Sequence, residues 1–131
     1  MSGGSSSLGN VSRISALIVD DDPVIRKLHS AMLKSLGIQF QLAVNGKEAV
    51  DLYRSGANIH IVFMDMEMPV MNGMEATKEL RAMGVSSIIV GVSSRCSDEE
   101  REEFISAGLD HCYAKPLTVA KIKSLLEGIK Y

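Results

Sequence analysis

The stretch ALIVDDDPVIR, residues 16–26, runs from four apolar residues into three consecutive aspartates and then a proline. A short, unbroken apolar run is what a strand covered on both faces requires. Proline suits the first turn of a helix, where its missing N–H would have lacked an intrahelical partner in any case. The stretch therefore reads as the end of a strand, a turn and the start of a helix. Asp22, directly before Pro23, reads as the helix N-cap. That leaves Asp20 and Asp21, whose adjacent carboxylates repel one another unless something positive sits among them.

The same grammar recurs along the chain. Apolar runs SALIVD (15–20), QFQLAV (39–44), IHIVFMD (59–65), SSIIVGV (86–92) and HCYA (111–114) precede helical patterns over 23–36, 46–55, 73–83, 98–107 and 119–130, which makes five βα units. The first, third and fourth runs are nearly all apolar and predict interior strands; the second alternates and predicts a strand nearer an edge. Asn45-x-x-Glu48, Asn72-x-x-Glu75 and Ser97-x-x-Glu100 have capping-box spacing, and Thr118 precedes the last helix. Gly37, Gly56, Gly84 and Gly108 fall where helices end and a left-handed residue is wanted. Alternating strands and helices with short connections predict an α/β, doubly wound parallel sheet with helices on both faces. In such folds ligands bind beyond the carboxyl ends of the strands, which makes the strand ends the place to look for function.

Composition narrows the classes. With 131 residues and 46% apolar content the chain suits one domain with one core. The Gly/Ser-rich residues 1–13 predict a flexible tail, and residues 14–131 the domain. A net charge of −2 without any basic run argues against nucleic acid as a partner. No apolar stretch nears the roughly 18 residues of a membrane span, nor is there a secretory signal, so no membrane association and a cytoplasmic location with access to the nucleus are expected. Cys96 and Cys112 lack metal-site or redox-motif spacing and are expected to be reduced thiols. His29, His60 and His111 have no spacing that suggests a metal site or catalytic pair, the methionines of 64–74 read as packing, and Asp98, Glu99 and Glu100 suit a helix N-terminus.

At the strand ends stand Asp20 and Asp21 after the first run, Asp65 after the third, Ser93 after the fourth and Lys115 after the fifth. Each alone is more simply a cap or a turn residue. Together they fit phosphoryl transfer. Mg²⁺ is commonly held by one or two carboxylates plus phosphate oxygens. Asp21 and Asp65 would supply them, with the main-chain carbonyl of Glu67 as a third oxygen and Asp20 acting through water. Asp65 would be the nucleophile, Lys115 would neutralise a second phosphoryl oxygen, and the Ser93 hydroxyl would donate to a third. Glu67 and Arg95 would flank the acyl phosphate.

With these residues in view the sequence resembles the receiver domain of two-component response regulators. The likeness rests on Asp20-Asp21 in LIVDD, on MDMEMPVMNG around Asp65, on Ser93-Ser94 after IIVGV, and on Lys115-Pro116 in CYAKP. It implies a flavodoxin-like sheet of order 2-1-3-4-5, Asp65 as phosphoacceptor, Asp20 and Asp21 as the acidic pair for Mg²⁺, Ser93 as switch hydroxyl, Lys115 as phosphate sensor and a cis Lys115–Pro116 bond. It also implies a phosphohistidine substrate, carried by a histidine kinase or a histidine phosphotransfer protein. LIVDDDPVIRKLH and GLDHCYAKPLT are further similar to plant stand-alone type-C response regulators, which implies a monomeric receiver without an output domain, acting as a phosphate sink or phosphohistidine phosphatase, in cytokinin signalling. Alternatives are a receiver piece of a hybrid histidine kinase, a small-molecule phosphatase working through an aspartyl-phosphate, and a pseudo-receiver that only binds proteins.

One departure stands out. The family commonly places Tyr or Phe three residues before the motif lysine, and here that residue is Cys112. Tyr113 points to the other face of a strand and does not replace it. A weak or altered rearrangement at the fourth helix, fifth strand and fifth helix is therefore expected.

Overall fold

The computed structural model describes residues 14–94 and 96–129; the expected tail over 1–13 lies outside them, as does the role expected for Arg95. Five strands and five helices alternate: β1 (Ser15–Val19), α1 (Pro23–Ser35), β2 (Gln39–Ala43), α2 (Gly46–Arg54), β3 (Ile61–Asp65), α3 (Gly73–Ala82), β4 (Ile88–Ser93), α4 (Asp98–Ser106), β5 (His111–Ala114) and α5 (Val119–Glu127). All pairings are parallel, in the order β2-β1-β3-β4-β5. The alternating run QFQLA does lie at an edge, and the apolar runs β1, β3 and β4 are interior. Both the doubly wound reading and the order implied by the resemblance hold.

Strand alternation divides the core in two. Leu17, Val19, Val62, Met64 and Ile89 pack with Ala49 and Val50 of α2 and Ala76 and Leu80 of α3. On the other face Ala16, Ile18, Ile61, Phe63, Val90 and Val92 pack with Leu33 of α1 and Ile122, Leu125 and Leu126 of α5. The fourth helix differs from the rest: none of its residues is buried, and it rests on the first cluster through the partly buried Phe104.

The local signals act as expected. Asp22 caps α1 by accepting from the Val24 N–H at 2.9 Å, with Pro23 next in line. Asn72 and Ser97 form reciprocal capping boxes with Glu75 and Glu100. Asn45 caps α2, but Glu48 reaches past it to the Val44 N–H at 3.0 Å, so that box is a variant. Helices stop before the residues expected to end them because Leu36, Ser55, Met83 and Ala107 act as C-caps, each followed by a glycine at positive φ. The last helix closes at Gly128 and not at Lys130, which lies outside the described residues.

Arg81 was not singled out from sequence, yet it ties three connections together. Its guanidinium donates to the carbonyls of Val85, Ser87 and Gly108 and pairs with Asp110 at 2.8 Å. Asp110 in turn accepts from the Ile89 N–H, which fixes the start of β4 against the turn into β5.

Candidate functional site

Because every strand runs the same way, the residues that end them gather along one sheet edge. Asp65 ends β3 opposite Val92, Ser93 ends β4 opposite Ala114, and Lys115 follows at once, its N–H donating to the Ser93 carbonyl. Asp20 follows β1 and donates its N–H to the Ala43 carbonyl. Apolar strands thus carry acids into nearly buried positions: Asp20, Asp65 and Ser93 are 2%, 1% and 1% exposed. Asp21 is exposed.

The bonds within the cluster are specific. Lys115 Nζ lies 3.1 Å from Asp65 Oδ1 and 3.3 Å from Asp20 Oδ2. Asp65 Oδ1 also accepts from the Glu67 N–H, while Asp20 Oδ1 accepts from the Asp22 N–H. Asp65 Oδ2 is buried and has no hydrogen-bond donor among the described residues. Burial drives the Asp65 carboxyl up to about 7, against the Glu67 N–H and Lys115, which pull it down, and with Asp20, whose charge adds to the rise. Burial alone would lower Lys115, but its contacts with Asp65 and Asp20 outweigh that and raise it.

A divalent cation suits this donor set. One carboxylate oxygen from each of Asp20, Asp21 and Asp65 lies within 4.8 Å of the others, and carboxylate oxygens are the hard donors such an ion takes. The three acids the sequence singled out are therefore brought together, but they are not equivalent. Asp20 is tied to Lys115 and to the turn; Asp21 is the exposed member.

Glu67 holds a position that sequence alone did not reveal. Its exposed side chain accepts from Ser94 Oγ at 2.7 Å, from Ser93 Oγ at 3.3 Å and from the Ser94 N–H at 3.3 Å. These donors, the Ser94 hydroxyl foremost, hold its carboxyl below the usual range. The Ser93 hydroxyl is thus engaged with a carboxylate two residues beyond Asp65.

Glycines make the cluster possible where backbone comes close. A Cβ on Gly73 would collide with the Asp65 carbonyl and with Met66. Between them, Pro69–Met71 form a three-residue turn: the Met71 N–H donates to the Pro69 carbonyl at 2.8 Å, and Val70 sits at φ 71°. The Met71 carbonyl then accepts from the Gly46 N–H at 3.1 Å, docking the loop on the start of α2.

Beyond the acids, Lys115–Pro116 is cis, as the resemblance implied. His29 is buried, and its Nε2 accepts from the Leu117 N–H; His60 Nδ1 meets the Ser15 N–H and hydroxyl, and His111 stacks on Tyr113. All three histidines have structural or surface settings. Cys112 lies in the first core cluster and Tyr113 against the second, so the two do face opposite ways. Both cysteines are free thiols, as expected, and the fold brings Cys96 Sγ to 3.2 Å from Cys112 Sγ, a proximity their sequence spacing does not indicate.

The sequence profile of a family described as response regulator receiver domain matches residues 16–127. Two-component response regulator 24 of Arabidopsis thaliana is 47% identical over 120 residues, covering 92% of this chain and 86% of that protein. Two-component response regulator ARR22, from the same plant, is 51% identical over 118 residues, covering 88% and 83%. Among solved structures, the Saccharomyces cerevisiae receiver domain of Ssk1, crystallised with the histidine phosphotransfer protein Ypd1, aligns with TM-score 0.79 at 27% identity, covering 86% of this chain and 85% of that one. The receiver domain of a Pseudomonas aeruginosa sensor histidine kinase, with a magnesium ion coordinated in its active-site cleft, aligns with TM-score 0.78 at 31% identity, covering 87% and 94%. Among the described residues no helix is long and apolar enough to cross a membrane.

Proposed function

The chain belongs to the response regulator receiver family, and from that membership we propose that Asp65 accepts a phosphoryl group from a phosphohistidine, with Mg²⁺ as cofactor. One observation carries the reading: the two oxygens of Asp65 differ. Oδ1 is occupied by the Glu67 N–H and Lys115, whereas Oδ2 is buried with no donor among the described residues and is the oxygen that attacks. The P–N bond to the donor imidazole breaks as the bond from phosphorus to Asp65 Oδ2 forms, and the imidazole leaves with the electron pair. Mg²⁺, when bound, would neutralise charge on the phosphoryl oxygens and on the carboxylates that surround them.

The chain's own groups do the rest. Asp21 and Asp65 would hold the cation through their carboxylates, with the main-chain carbonyl of Glu67 as a further oxygen, and Asp20 would add its negative charge and act through water. Lys115 stands beside Asp65 and meets a second phosphoryl oxygen. Ser93 donates to a third once its hydroxyl leaves Glu67. The partner is a histidine phosphotransfer protein or a histidine kinase, a reading supported by the Ssk1 receiver, which was crystallised with Ypd1. Cys112, buried where the family commonly has an aromatic ring, favours a receiver that takes up and hydrolyses phosphate with little rearrangement of α4, β5 and α5: a phosphate sink or phosphohistidine phosphatase.

The test is transfer of labelled phosphate from a phosphorylated histidine phosphotransfer protein, in Mg²⁺, to the wild type and to Asp65→Asn. Label should pass to the wild type, be lost from it over time, and never reach the variant. Label that still reaches Asp65→Asn, or steady turnover of small phosphate esters in its place, would overturn the reading.

A further inference from the structure

Cys96 and Cys112 stand 16 positions apart, yet their sulfurs are 3.2 Å from each other. Two thiols in ordinary packing contact stay further apart than this, and a disulfide needs about 2.0 Å, so closure asks for a shift of only about 1 Å. The two differ in access. Cys112 is 2% exposed, fixed in β5 and paired with Gly91 of β4, whereas Cys96 is partly exposed in the connection between β4 and α4. The element that must move is therefore the looser one.

We propose that Cys96 and Cys112 are a peroxide-responsive thiol pair, in which Cys96 is oxidised first and Cys112 resolves it into a disulfide that pins the start of α4 to β5. The Cys96 thiolate attacks a hydroperoxide oxygen; the O–O bond breaks, the alkoxide or hydroxide leaves and takes up a proton, and Cys96 becomes a sulfenic acid. Cys112 sulfur then attacks Cys96 sulfur, the S–O bond breaks, and hydroxide leaves with the Cys112 proton as water. Two thiols have lost two electrons and the peroxide has gained them. Burial, together with the neighbouring Cys96, pushes the Cys112 thiol up to about 12, which keeps it a thiol and leaves the first step to Cys96.

The consequence follows from how thinly α4 is held. None of its residues is buried, Ile105 is 41% exposed, and its sequence DEEREEFIS has only two apolar residues to seat it. Ser97, its N-cap, directly follows Cys96. A bridge to β5 adds a covalent anchor where side-chain packing supplies little, and it does so next to Ser93 and Ser94, whose hydroxyls engage Glu67. The chemistry is independent of phosphate, so the failure of either reading leaves the other standing.

The test starts from the full chain, reduced, and exposes it to a few equivalents of hydrogen peroxide before alkylation and intact-mass measurement. The expected product is a monomer lighter by two hydrogens with neither thiol open to alkylation. Cys112→Ser should instead hold a sulfenic acid on Cys96 that dimedone traps, and Cys96→Ser should leave Cys112 a thiol. Amide exchange in α4 should slow about tenfold or more in the bridged form and recover with dithiothreitol. Disulfide-linked dimers, overoxidised Cys96 beside a still-reduced Cys112, or a bridge that leaves α4 exchange unchanged would overturn the proposal.

Discussion

Lys115 Nζ sits 3.1 Å from Oδ1 of Asp65, while the other oxygen of the same carboxylate has no donor among the described residues. The lysine therefore restrains a charge that burial opposes. With its carboxyl pushed up to about 7, Asp65 binds a proton in the folded chain at pH values where the unfolded chain has released it. Its contribution to stability is present below the unfolded value near 3.8 and is lost as pH rises through about 7. A cation that needs the ionised carboxylate competes with that proton. Mg²⁺ affinity should strengthen as pH rises toward about 7 and level off above it. Lys115→Met removes a group that holds the carboxyl down, so the Asp65 carbon resonance in a pH titration by NMR should move its midpoint above that of the wild type. An unchanged or lower midpoint would show that Lys115 does not act on Asp65 in this way.

The three adjacent aspartates should separate under substitution. Asp22 accepts from the Val24 N–H as a helix cap, and asparagine caps as well as aspartate. Asp22→Asn should leave the melting temperature and Mg²⁺ binding nearly unchanged, whereas Asp22→Ala should lose about 1 kcal/mol of stability by urea unfolding. Asp21 is exposed but belongs to the carboxylate cluster. Asp21→Asn should alter stability by less than about 0.5 kcal/mol. Calorimetric titration with Mg²⁺ should nevertheless weaken by about tenfold or more, since a hard cation loses a charged ligand.

Features written into neighbouring residues were legible in the sequence; features that depend on distant ones were not. Strand runs, N-caps such as Asp22 and Thr118, and the glycines that end helices act within a few residues, so pattern alone placed them. The site acids were visible because a parallel sheet puts the end of every strand on one edge, which makes Asp20, Asp65, Ser93 and Lys115 neighbours once the alternation is recognised. The strand order itself came from resemblance, since periodicity fixes faces and not neighbours. Glu67 reaching Ser94, Arg81 reaching Asp110 and Cys96 meeting Cys112 span 27, 29 and 16 positions, and nothing local marks them.

Val70 is a β-branched residue at φ 71°, the region where a Cβ crowds the backbone, and it is 75% exposed, so packing gives little in return. Strain of this kind is on the order of 1–3 kcal/mol. Asparagine tolerates the left-handed region better than valine. Val70→Asn should therefore raise stability by about 1 kcal/mol in urea unfolding, with the Met71–Pro69 bond intact. Val70→Ile, equally branched, should raise nothing. Should Val70→Asn destabilise the chain, the turn is not the seat of strain.

His29 makes the pH dependence of the fold testable apart from Asp65. It is buried in α1, and its Nε2 accepts the Leu117 N–H at 3.1 Å, just beyond Lys115 and Pro116. An imidazole that accepts at Nε2 and is protonated there loses the bond and leaves a buried donor facing a donor. Burial accordingly lowers its pKa, Asp20 opposing the shift and Lys115 adding to it. Since the folded value lies below the unfolded one, the unfolded chain takes up the proton first as pH falls. The contribution of His29 is complete above about 6.5 and declines as pH falls through its folded value, with a slope of at most about 1.4 kcal/mol per pH unit. Asp65 works in the opposite sense over part of the same range, so the wild-type curve alone does not isolate either group. The difference between wild type and His29→Gln does: glutamine keeps an acceptor and has no proton to gain. Urea midpoints measured from pH 8 to pH 5 should show the wild type losing stability relative to His29→Gln below about 6.5 and running parallel to it above. Parallel curves throughout would mean that the Leu117 bond survives protonation and that His29 does not set the acid side of the fold's stability.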